Sequence, residues 1–140
     1  MSRDLVLSFA VGGEPRPQGS KKAFVVKGRA VMIDDNKPAL KTWRDAVANS
    51  ARAALSVAEI FEPAEGALAV AIEFVLARPK TVTRDLPSVQ PDIDKLQRAV
   101  LDALTTASVW KDDGQVTTIS ARKIYGPTPG ARVSVYREKE

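Results

Sequence analysis

The chain has 140 residues, 44% hydrophobic and 27% charged, the proportions of an ordinary globular protein with enough sequence for one core and no staples. It holds no histidine and no cysteine, which excludes imidazole bases, histidine triads, thiolate zinc sites, thiol nucleophiles and disulfides. The net charge of +4 permits a phosphate-bearing partner without demanding one. Hydrolytic chemistry in such a chain must run on carboxylates, lysine, tyrosine, hydroxyls or metal-bound water.

In chain order, Met1 to Asp4 lead directly into strand-like sequence without a secretory segment, so a reducing cytoplasmic setting is the expectation. Leu5 to Val11 is rich in strand formers and stops at Gly12-Gly13. Glu14 to Lys22 reads as a loop from its Pro and Gly content. Ala23 to Val26 and Ala30 to Ile33 form an expected hairpin about Lys27-Gly28-Arg29, and Asp34-Asp35-Asn36 offers helix caps. Between Lys37 and Ala58, Leu40, Trp43, Val47, Ala51, Ala54 and Leu55 recur at helical spacing and predict an amphipathic helix.

Ala67 to Ala77 is almost continuously apolar, the pattern of a strand in the middle of a sheet. Arg78 to Gln90, with two prolines and no periodicity, reads as a mobile loop. A second helix is expected from Asp92 or Asp94 to Thr106, with Ile93, Leu96, Val100, Ala103, Leu104 and Ala107 facing the core. Val116 to Tyr125 and Ala131 to Tyr136 are the last strands. The order predicts a single α+β domain, one mixed β-sheet with two main helices, and no run of roughly 20 apolar residues that would span a membrane.

Two acid pairs stand out: Asp92-Ile93-Asp94 at a helix start and Asp112-Asp113-Gly114 before a strand. Each has a plain structural explanation. Aspartate caps helices and suits the macrodipole, and Asp-Gly is a hairpin turn signal. Asp102 lies two turns beyond Asp94 with Arg98 between them, a spacing for i,i+4 ion pairs on a solvated face. Only one residue can cap, however, which leaves the second acid of the first pair unexplained. The helix from Asp94 to Thr106 is about 18 Å long. The chain between its end and Asp113 can extend roughly 20 Å. Asp112 or Asp113 can therefore return beside Asp92 and Asp94, although nothing in the spacing requires it. Such a cluster suits Mg²⁺ or Mn²⁺, hard ions with oxygen ligands, and the phosphodiester chemistry they support. Lys95 and Arg98 would then hold a phosphate or offset charge in flight, against the plainer reading of an ordinary helix surface.

At Asp92-Ile93-Asp94-Lys95-Leu96-Gln97-Arg98, Asp102-Ala103-Leu104 and Trp110-Lys111-Asp112-Asp113-Gly114-Gln115-Val116, the chain resembles the RusA family of Holliday junction resolvases, which has many phage-encoded members. Gly13 to Lys22 is similar to the family's Pro/Gly/basic loop. The resemblance implies a homodimeric Mg²⁺-dependent endonuclease that nicks branched DNA, with no small-molecule cofactor, in a bacterial or phage-infected cell. It implies that Asp92, Asp94 and Asp113 are metal ligands, with Asp112 a nearby acid. The family's catalytic lysine falls on Arg98, which keeps the charge but cannot give up a proton at neutral pH, so Lys95 is a second candidate. Arg16, Lys21, Lys22, Lys27, Arg29, Arg78, Lys80 and Arg84 are candidate phosphate contacts, all in expected loops or turns. A branched-DNA-binding protein with decayed catalysis is the alternative. An unrelated Asp-x-Asp metal enzyme lacks the glycine-rich phosphate loop it would need.

Overall fold

A computed structural model describes residues 3–19, 21–34 and 37–140, with the backbone alone at 21–24, 26 and 31–34. The strands are β1 (Asp4–Gly12), β2 (Lys21–Val26), β3 (Arg29–Asp34), β4 (Leu68–Leu76), β5 (Val116–Tyr125) and β6 (Gly130–Arg137). The helices are α1 (Lys37–Val57) and α2 (Ile93–Thr106), and Asp113–Gln115 forms one 3-10 turn. Every expected element is present and no further strand or α-helix appears among the described residues. The proposed caps at Asp35 and Asn36 lie outside them.

Four strands make one mixed sheet in the order β1-β6-β4-β5, while β2 and β3 form a separate hairpin. The apolar run of β4 is explained by its place, with β6 antiparallel on one side and β5 parallel on the other. The parallel β4–β5 pair requires a crossover, and α2 supplies it. Consecutive strands β5 and β6 do not pair, because β4 lies between them. The linker therefore crosses the end of β4. A Cβ on Gly126 would come 2.6 Å from the Val75 side chain, and one on Gly130 would come 2.2 Å from the Val11 carbonyl oxygen. Only glycine lets the chain pass at these two points.

The core lies between the sheet and the two helices. Val70, Ile72, Phe74, Val133 and Val135 from the sheet meet Trp43, Val47 and Ala51 of α1 and Leu96, Val100 and Leu104 of α2. The helical periodicities read from the sequence are thus the buried faces. In the hairpin, Lys27 and Gly28 both take positive φ, 50° and 78°, as a tight two-residue β-turn requires. No described helix is long and apolar enough to cross a membrane.

Candidate functional site

Helix α2 carries the first acid pair at its N-terminus. Asp92 occupies the N-cap position in extended conformation, yet its side chain makes no capping hydrogen bond. The expected cap thus uses the Asp92 backbone, whose carbonyl accepts from Leu96 N at 3.0 Å, and leaves the carboxylate uncommitted to the helix. Lys95 Nζ stands 3.6 Å from Asp92 Oδ2. Both groups are partly exposed, so this ion pair contributes little to stability. Asp94 is exposed in the first turn. Lys123 reaches up from β5 to the carbonyls of Val89 and Pro91, at 2.7 and 2.8 Å, and fixes the approach to the helix.

The loop after β1 lies across the side of α2. Gln18 N donates to the Lys95 carbonyl at 3.0 Å, and Gln18 Nε2 donates to the Asp102 carboxylate. Asp102 is half-buried and held from the loop, which differs from the expected ion pair on a solvated face. Arg98 lies against Gly19: a Cβ there would come 3.0 Å from Arg98 Nη1, and Gly19 has φ +89°. The Gly/Pro loop and the basic helix residue therefore share one surface.

The second acid pair does not form the hairpin turn that Asp-Gly suggested. Trp110 instead bridges in parallel to Ala64, and Asp112 caps the 3-10 turn by accepting from Gly114 N at 2.9 Å. Gln115 completes a capping box: its Oε1 accepts from Lys111 N and Asp112 N, at 3.1 and 3.2 Å. Its Nε2 donates to the carbonyls of Ala64 and Gly66, both at 3.0 Å. The glutamine of the motif is thus the clamp that sets Asp113 in place, a role sequence spacing did not reveal.

The chain returning from α2 is not extended. Ala107, Ser108 and Val109 bond back to the last helical carbonyls, and Trp110 Nε1 donates to Thr105 Oγ1 at 2.7 Å. The chain thus folds back on the end of α2, and Asp113 comes close enough to Asp102 to feel its charge. Partial desolvation, then the charge and hydrogen bond of Asp112, then the charge of Asp102 raise its carboxyl above the ordinary carboxylate value of 3.8. Among the described residues, no three acidic side chains gather closely enough to hold a metal ion by themselves.

Around Asp92 the structure opens a cavity of about 500 Å³ at the C-terminal ends of β4 and β5. Arg16, Arg84 and Lys95 line it with Asp92 and Glu14. Tyr125, overlooked in the sequence because it reads as a strand-end aromatic, also lines it and accepts a hydrogen bond from Arg84 Nε at 3.1 Å. The Arg78 guanidinium carbon lies 5.2 Å from the Tyr125 ring centroid. Of the other candidate phosphate contacts, Lys27 and Arg29 are exposed at the tip of the β2–β3 hairpin, and Lys21 and Lys22 begin β2, where the backbone alone is described. Lys80 is exposed in the loop between β4 and α2.

This arrangement pairs hard oxygen donors with cations on one surface, which suits an anionic substrate handled with a divalent ion. The family model described as Endodeoxyribonuclease RusA matches residues 12–136. No curated protein matches the chain.

Proposed function

Because the chain belongs to the RusA endodeoxyribonuclease family, we propose that it is a Mg²⁺-dependent endonuclease that resolves four-way DNA junctions by paired, symmetric nicks in a bacterial or phage-infected cell. The observation that carries this reading is the Asp92 carboxylate at the start of α2, free of any capping bond, beside Lys95 and lining a cavity with Arg16 and Arg84.

The donors fit the ion. Mg²⁺ is commonly held by one or two carboxylates, with waters and substrate phosphate oxygens completing its shell. Asp92 and Asp94 supply such a pair, and Asp113 is the third acid of the family pattern. Mn²⁺ would substitute. The bound ion supplies an activated water and offsets charge at the phosphate. The protein's own groups do the rest. Lys95 and Arg98 hold the scissile phosphate from the same helix, and Gly19 leaves room for the Arg98 guanidinium. Arginine stays charged throughout, so it stabilises charge and does not donate a proton. Arg16, Arg78 and Arg84 bind flanking phosphates near Asp92, with Lys27 and Arg29 reaching further along the duplex. A twofold homodimer would present two such sites with the symmetry of the junction, so that opposing strands are cut.

A synthetic mobile junction with Mg²⁺, run beside linear duplex and flap controls, tests the reading. The parent is expected to nick the junction, and Asp94→Asn to slow nicking at least a hundredfold while still binding it. A nicking rate within a few-fold of the parent would remove Asp94 from the metal site. Junction binding without cleavage by the parent itself would make this a branched-DNA-binding protein.

A further inference from the structure

The cavity beside Asp92 has more shape than a phosphate needs. Its volume of about 500 Å³ falls in the range that accepts small organic ligands. Proline residues such as Pro15, Pro79 and Pro87 give it stiff apolar walls. Tyr125 stands at the end of β5 with its orientation set twice, by the Arg84 hydrogen bond to its hydroxyl and by the Arg78 guanidinium near its ring. Aromatic rings and arginine planes are the platforms on which unpaired bases stack, whatever their sequence. Arg16, Arg84 and Lys95 bring positive charge to the same walls, and Asp92 lines the cavity with them.

We propose that this cavity receives a single unpaired nucleotide of the DNA strand, turned out of its stack, with the base against Tyr125 and its phosphate toward Arg84 and Lys95. The proposal rests on the reading of the α2 N-terminus as the cleavage site and deepens it. Extruding a nucleotide costs least where pairing and stacking are already broken. The cavity would therefore favour a branch point over linear duplex, which gives the protein a structural reason to select junctions.

The test is a set of four-way junctions, each carrying abasic sites at one pair of twofold-related positions, stepped through the positions around the branch. Binding is measured by fluorescence anisotropy in EDTA, so that no strand is cut. Tyr125→Ala is expected to bind the intact junction roughly tenfold more weakly than the parent, as loss of one stacked base implies. At one abasic pair the parent and Tyr125→Ala should bind alike, and at the others the tenfold difference should remain. Tyr125→Phe keeps the ring and should stay within a few-fold of the parent. If Tyr125→Ala does not fold, Tyr125→Leu, which removes the aromatic face and keeps apolar bulk, takes its place in the same comparison.

Equal binding of the intact junction by parent and variant would overturn the nucleotide pocket. So would a difference that persists at every abasic pair. Either result leaves the nuclease reading standing. Conversely, a parent that shows the abasic signature but never nicks in Mg²⁺ keeps the pocket and loses the nuclease reading. A parent that binds no DNA loses both.

Discussion

At the scale of single residues, the two aspartates of the Asp112-Asp113 pair divide their work. Asp112 is spent on capping the 3-10 turn, while Asp113 makes no such bond and feels two like charges. A carboxyl whose value is raised in the folded state binds its proton more tightly there than in the unfolded chain. Its favourable contribution is complete below the ordinary value of 3.8 and is lost as pH rises through the folded value. At neutral pH, charged Asp113 is thus a small burden. Asp113→Asn should melt no lower than the parent at pH 7, followed by circular dichroism, and its advantage should vanish in acid. The same variant should lose nicking at least a hundredfold. A loss of stability at pH 7 would show that Asp113 is structural. The two candidate cations are separable as well. Arg98→Ala should lower the single-turnover nicking rate about tenfold more than Lys95→Ala, because Lys95 shares its charge with Asp92. The opposite order would assign the phosphate to Lys95.

At the scale of elements, α2 owes its position to chain segments far from it. The loop after β1 bonds to it at Lys95 and Asp102, and the segment after it is pinned by Trp110 and Gln115. The sheet depends on glycines for a different reason, close passage of one strand end over another. Gly130→Ala would press a methyl into the Val11 carbonyl and should cost about 2 kcal/mol by urea unfolding. At Gly28 there is open space, and only the positive φ of 78° resists a side chain. Gly28→Ala should therefore cost less, about 1 kcal/mol. If the two variants were equally stable, close packing at the β1–β6 edge would not be what requires Gly130.

Across the whole molecule, charge is unevenly useful. The net charge is only +4, yet Arg16, Arg84 and Lys95 meet at one cavity, and Lys27 and Arg29 mark an exposed hairpin tip. A surface that neutralises about five phosphates loses roughly five-hundredfold in affinity between 50 and 200 mM salt. Junction binding titrated over that range should show a steep linear dependence on the logarithm of salt. A flat response would mean that these cations do not contact the DNA backbone. Sedimentation of the free protein tests the proposed twofold assembly directly: a monomer at all concentrations, with or without junction, would leave paired nicks unexplained.

The sequence alone determined the elements, because helix and strand periodicities are local and each stretch carries its own. Leu96, Val100 and Leu104 had only to repeat at helical spacing to declare the buried side of α2, and the spacing of the acids and Arg98 was enough to suggest the family. The tertiary structure decided what those residues meet. Gln18 bonds to Asp102 across 84 positions, β4 separates two strands adjacent in the chain, and Tyr125 joins Arg84 at a cavity that no single segment contains. It also turned the Asp-Gly signal from a hairpin into a capped 3-10 turn, since Trp110 found its partner in Ala64. Contacts of this kind arise from the packing of remote segments against each other, and short-range pattern holds no record of them.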